Sequence, residues 1–220
     1  MRTRFVEIDV LRALAIVAMI IFHLVFDLDL FDVIEIDMQQ TFWQGLALFV
    51  QIIFIVTTGI TLVIASERGL RPRIVHAAKI FAFGMIITLV TSLLFPERAV
   101  VFGILHFMGV AIVLALPLLR FSMWNALLGA AIILATPWLA PLIQIDASGQ
   151  PLDYFPLAPW FGVFLIGVAI GGAWYAKRAP GNIPGRGSEI ASSIARHSLA
   201  IYLLHQPILV ALIQIAKRMS

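Results

Sequence analysis

Runs of about 20 mostly apolar residues follow one another along this chain, at about 8–27, 42–65, 74–95, 99–119, 122–143, 159–176 and 198–216. A helix rises about 1.5 Å per residue, so each run is long enough to cross the hydrocarbon core of a bilayer. Only 12% of the 220 residues are charged and 61% are hydrophobic. Soluble domains carry about 25% charged residues, so the pattern predicts an all-α fold, a polytopic membrane helix bundle of about seven transmembrane helices. The first run is long for a signal peptide and lacks a small-x-small cleavage site, so it reads as a retained helix. The longest connections, "DLDLFDVIEIDMQQ", "QIDASGQPLDYFPLAP" and "KRAPGNIPGRGSEIASSIARH", leave no room for a soluble domain. Residues 1–220 therefore read as a single transmembrane domain. Cysteine is absent, which excludes disulfides, thiolate metal ligands and catalytic thiols, and no metal site is expected.

Charge placement sets the expected orientation. Arg2 and Arg4 precede the first run; Arg68, Arg71 and Arg73 follow the second, Arg120 the fourth, and Lys177, Arg178, Arg186 and Arg196 lie between the last two. The alternate connections carry Asp29, Asp32, Glu35, Asp37, Asp146 and Asp153, with Arg98 as their one cation. The positive-inside rule then makes the N-terminus cytoplasmic. Seven crossings put the C-terminus outside, where Lys217 and Arg218 run against the rule. Charges this sparse report on topology; they give no basis for a nucleic-acid partner.

Ionisable groups inside a membrane span are costly and mark functional positions. At 100° per residue, Asp9, Ile16, His23 and Asp27 fall within about 40° of one another, and Arg12 lies at the edge of that face. Asp9 and Arg12 are spaced i,i+3, and His23 and Asp27 i,i+4, so both pairs are placed for direct contact. The first pair also fits an interfacial salt bridge. In the second, a carboxylate one turn from an imidazole fixes its tautomer, as a general base requires, although a buried histidine satisfied by its surroundings fits too. Gln44, Gln51 and Thr58 share a face of the second run, as interhelical glue or as a cavity wall.

"FGILHFMG" sets His106 between Gly103 and Gly109, at a depth near that of His23; either histidine is a candidate base. "RHSLAIYLLHQPI" puts Ser198, Tyr202 and His205 on one face ahead of Pro207, which removes a backbone donor. The basic stretch "ERGLRPRIVHAAK" reads as anchoring to anionic lipid or as a phosphate clamp, since guanidinium groups bind phosphate through paired donors.

The stretches "EIDVLRALAI…FHLVFDL", "VFGILHFMGVA", "FPLAPWFGVFLIG" and "HSLAIYLLHQPI", in this order, resemble the transmembrane acyltransferase superfamily, which includes acyltransferase family 3. Within it, the chain resembles the small prokaryotic proteins grouped with the heparan-α-glucosaminide N-acetyltransferase catalytic domain. The resemblance covers nearly the whole chain and implies transfer of an acetyl or other acyl group. The donor would be cytoplasmic acyl-CoA, with acetyl-CoA as co-substrate, and the acceptor an amino or hydroxyl group on the outer side, as on an amino sugar or glycan. It implies an integral protein of the prokaryotic cytoplasmic membrane, and a homo-oligomer is compatible with it.

By the same resemblance His23 is the general base with Asp27 orienting it; His106 and His205 match positions in the small prokaryotic relatives without an assigned role, and His106 stays a catalytic candidate by its depth. Arg12 would assist the acyl donor and Arg71, Arg73 and Lys79 would meet the CoA phosphates; from their place in the sequence, Asp9, Tyr202 and His205 are further candidates on the cofactor side. One departure is visible: lysosomal members place their catalytic histidine in the loop before the second span, and "EIDMQQTFWQGL" contains none. Two other functions fit the same polar residues. His23 and His106 at similar depth match the axial ligands of a b-type haem electron carrier, and the polar stripe matches a small proton-coupled transporter.

Overall fold

A computed structural model of the chain describes residues 5–66, 69–143, 152–178 and 186–219; Arg2, Arg4, Arg68 and Asp146, used in the charge argument, lie outside them. The described residues are helical apart from short connections and one isolated bridge between Phe102 and Tyr154. Among the described residues, six helices are long and apolar enough to cross a membrane. Four are α1 (Val6–Leu30), α2 (Thr41–Ile64), α3 (Leu70–Leu94) and α9 (Ser198–Met219). The fifth is α4 (Ile104–Ala115), which tightens into a 3-10 turn at Leu116–Phe121, and the sixth is α7 (Leu157–Ile170), which widens into a π turn at Gly171–Tyr175.

The fifth apolar run departs from the uninterrupted segment expected over 122–143. It forms two short helices, α5 (Trp124–Leu134) and α6 (Thr136–Ile143). Pro137 has no N–H to give to the carbonyl of Ile133, and it disfavours helical geometry at the residue before it. The chain tightens at Ala135 (φ −79°, ψ −2°), whose carbonyl accepts from both Trp138 and Leu139 at 3.0 Å. The Thr136 hydroxyl donates back to Ile132 O at 3.1 Å. A second departure is α8 (Arg186–Arg196), an amphipathic helix inside the basic connection between the last two apolar runs. It buries Ala191 and Ala195, one turn apart, and exposes Ile190.

The chain divides into two compact units. The first comprises residues up to Phe54 and from Ala179 onward, and so holds α1, the first half of α2, α8 and α9. Here α1 buries Ile8, Asp9, Ala13, Ala15, Ile16, Met19 and Asp27 and turns Val10, Leu14, Val17, Ile21 and Leu24 outward. The polar stripe of α1 is therefore the face that packs against protein, and the hydrocarbon side chains are left for lipid. The helix ends in a Schellman motif: Val33 N–H reaches Leu28 O at 2.8 Å and Asp32 N–H reaches Asp29 O at 3.0 Å. Asp32 takes the left-handed position (φ 55°) more often given to glycine. Alongside, α9 runs in the same direction as α1. His205 meets His23, Gln206 meets Asp27, and Lys217 Nζ donates to Phe31 O at 2.7 Å.

The second unit, Ile55–Arg178, is built on the α3–α4 hairpin and on α5 packed against α7. In lipid, apolar side chains gain little by leaving the solvent for one another, so helix association depends on close van der Waals contact and small residues. Gly129 on α5 and Gly162 on α7 supply that contact. A Cβ on either would stand 2.5 Å from the other's carbonyl oxygen.

Candidate functional site

The first unit gathers four polar side chains from two helices. His23 and Asp27 stand one turn apart on α1, and α9 brings His205 and Gln206 against them. The rings of His23 and His205 lie 4.8 Å apart, centroid to centroid, at 76°. Gln206 Nε2 donates to Asp27 Oδ1 at 2.6 Å, and Asp27 is completely buried at 0% exposure. The direct His23–Asp27 hydrogen bond that their spacing allows is not the one formed. His23 Nδ1 lies 2.9 Å from Met19 O, four residues back on its own helix. His205 Nδ1 lies 2.7 Å from Tyr202 O, and the Tyr202 ring is tilted against the His205 ring at 5.7 Å.

These contacts fix the chemistry of the two rings. A carbonyl oxygen only accepts, so both Nδ1 atoms carry the hydrogen, and each neutral ring keeps its lone pair at Nε2. Backbone carbonyls thus orient the imidazoles, a task that the i,i+4 spacing assigns to Asp27 for His23. Of the four buried side-chain polar atoms without a protein partner among the described residues, three belong to this cluster: Asp27 Oδ2, Gln206 Oε1 and His205 Nε2. Buried polar atoms are normally paired, so three orphans at one place mark a position prepared for another molecule. Gln206 did not stand out in the sequence. Its only signal was its position between His205 and Pro207, which gives no information on a partner 179 residues away.

Towards the start of α1, buried Asp9 accepts a hydrogen bond at 2.7 Å from Ser192 of α8, a residue the sequence also gave no reason to choose. Arg12 is half-buried on the same helix. Arg71, Arg73 and Lys79 belong to the second unit and line the first part of α3; Arg71 and Lys79 are exposed, and Arg73 Nε donates to Gly69 O at 2.8 Å.

His106, also in the second unit, has a different setting. The Gly103 N–H donates to its Nδ1 at 3.2 Å, so that nitrogen is the acceptor and Nε2 carries the hydrogen. Nε2 lies 3.4 Å from Thr88 Oγ1, whose own hydrogen goes to Val100 O at 2.5 Å. Gly84 leaves space for the ring, since a Cβ there would touch it at 3.0 Å, and Phe81 and Phe102 enclose it. Both nitrogens are spent on capping α4 and tying it to α3. Neither is left to abstract a proton or to ligate a haem iron without breaking that cap.

The start of α4 holds one more charged group. Asp153 Oδ2 accepts from the Ile104 N–H at 3.0 Å, in the orientation a helix N-terminus favours for an anion. Desolvation nevertheless pushes the Asp153 carboxyl from 3.8 up to about 6, the Ile104 hydrogen bond opposing it. Between those values the folded chain holds a proton that the unfolded chain releases, so this contribution to stability is present at low pH and is lost as pH rises through about 6. Asp153→Asn keeps the acceptor and removes the titration. Thermal unfolding from about pH 4.5 to 7.5 is expected to show a smaller decline with pH in the variant than in the parent. Superimposable pH profiles would contradict it.

A family model described as heparan-alpha-glucosaminide N-acetyltransferase, catalytic, matches residues 4–207, which include every site residue named above. No curated protein and no solved structure matches the chain. With the match extending over nearly the full length of an all-helical chain rich in apolar spans, the chain belongs to the heparan-alpha-glucosaminide N-acetyltransferase catalytic family.

Proposed function

We propose that this member of a membrane N-acetyltransferase family moves an acetyl or related acyl group from cytoplasmic acyl-CoA to an amino or hydroxyl group of a sugar on the outer side. The observation that carries the reading is the cluster of His23, Asp27, His205 and Gln206, with its orphaned acceptors and an uncommitted imidazole nitrogen. His23 Nε2 takes the proton from the acceptor as its nitrogen or oxygen attacks the thioester carbonyl carbon. The carbon–sulfur bond breaks and the thiol leaves with a proton. Asp27 Oδ2 and Gln206 Oε1 offer acceptors to the N–H and O–H groups that an amino sugar carries. The Asp9 and Arg12 end of α1 serves the donor. Arg71 and Lys79 present exposed cations suited to CoA phosphates, and Arg73 stands on the same stretch of α3.

The test is transfer by the purified protein in liposomes, with labelled acetyl-CoA on one side and a panel of amino sugars and neutral sugars on the other. Labelled acetyl-sugar is the expected product. Acetyl-CoA is also expected to raise the unfolding temperature, since ligand at about 100 times its Kd adds about 2.7 kcal/mol. Absence of both transfer and stabilisation would overturn the reading.

A further inference from the structure

His23 and His205 share a feature that His106 lacks. Each donates its Nδ1 hydrogen to a main-chain carbonyl of its own helix, Met19 O and Tyr202 O, at 2.9 and 2.7 Å. The two rings therefore carry the same tautomer, and their basic nitrogens are the two Nε2 atoms. That of His205 is buried without a protein partner. With ring centroids 4.8 Å apart inside membrane-spanning helices, two imidazolium charges would repel strongly in a poorly screened environment. The pair has room for one proton. Among the described residues, the titratable groups beside it are Asp27 on α1, held by Gln206, and Tyr202 on α9.

We propose that His23 and His205 act as one proton-holding unit that takes a single proton, with His205 as the electrostatic neighbour of His23 and Gln206 as the clamp on Asp27. The proposal rests on the acyl-transfer reading for its chemistry and on the two-ring geometry for its mechanism. During transfer the acceptor's lone pair forms the new bond to the carbonyl carbon and the carbon–sulfur bond breaks. The proton released by the acceptor is taken up at His23 Nε2 while the His205 ring beside it stays neutral, and it ends on the departing thiolate sulfur. No oxidant or reductant takes part.

Two measurements test it. The first uses the whole protein in detergent with ¹⁵N-labelled histidine. His23 and His205 are expected to show the Nδ1–H tautomer, His106 the Nε2–H tautomer, and the pair to take up a single proton with coupled titration. In His205→Gln the protonation midpoint of His23 is expected to move by about one unit or more; an unmoved midpoint overturns the proposal. The second compares His23→Gln, His205→Gln and the double variant in the transfer assay, each first shown to unfold cooperatively. Both single variants are expected to lose about 100-fold or more in kcat, and the double variant no more than His23→Gln alone. Multiplicative losses, or a His205→Gln rate within about twofold of the parent, overturn it. If the parent acetylates no acceptor, the transfer reading fails and the spectra still decide whether the rings form one unit.

Discussion

His23→Gln is expected to lower acetyl transfer by about 10²–10⁴-fold, the range that general-base catalysis supplies. Glutamine keeps a polar side chain of similar length, and its amide can still donate towards Met19 O, so α1 loses no obligatory contact. What it lacks is a nitrogen basic enough to take a proton. Product formation followed by mass spectrometry, beside a thermal unfolding curve, separates the two effects. The unfolding midpoint is expected to stay near that of the parent while turnover disappears. His106→Gln is the informative contrast. That ring is held by Gly103 N–H and faces Thr88, so its replacement is expected to weaken the α3–α4 junction by about 1 kcal/mol, the usual worth of a helix cap. Full turnover in His23→Gln would move the base elsewhere.

The largest effect on stability is expected from Gly162→Val. A Cβ at Gly162 would meet Gly129 O at 2.5 Å and Ile133 Cγ1 at 2.7 Å, so even alanine forces α5 and α7 apart and valine adds two methyl groups to the clash. Overpacking of this kind costs about 3 kcal/mol or more, a large share of the about 5–15 kcal/mol by which folded chains are stable. Loss of the monodisperse, cooperatively unfolding species in detergent is the expected readout. Gly45→Ala on α2 is the control, because nothing lies within 4 Å of a Cβ there. The alanine is expected to be neutral or to add about 0.5–1 kcal/mol through helix propensity. A Gly162→Val protein as stable as this control would mean that α5 and α7 do not depend on the close approach.

Hydropathy made the helical spans legible, because a bilayer imposes both their length and their apolar content on the sequence. The stripe on α1 was legible for a similar reason: helical angle alone put Asp9, Ile16 and Asp27 on one face, and that face is buried. Partners were not legible. Spacing offers Asp27 to His23, but it carries no information about Gln206 arriving on α9, and the nearer bond is a matter of which rotamer each side chain adopts. The His106 tautomer was equally hidden, since it depends on one backbone N–H at the start of α4. Pro137 was visible, yet an average over about 20 residues smooths over a one-residue interruption. α8 escaped because a stretch of 11 residues in a polar connection is too short to read as a span, and the residues it buries are small alanines.

The shared direction of α1 and α9 has a consequence for counting. A chain that leaves α1 on one face of a bilayer and begins α9 on the face where α1 began has made an odd number of passages in between. The long apolar helices between them are α2, α3, α4 with its 3-10 extension, and α7, which is an even number. The remaining apolar stretch among the described residues is α5 with α6, whose residues 124–143 span about 30 Å at helical rise. A crossing by this stretch would carry the interruption at Pro137, where the Ile133 carbonyl lacks its usual backbone donor. With it, the described residues would supply the odd number of passages that parallel α1 and α9 require.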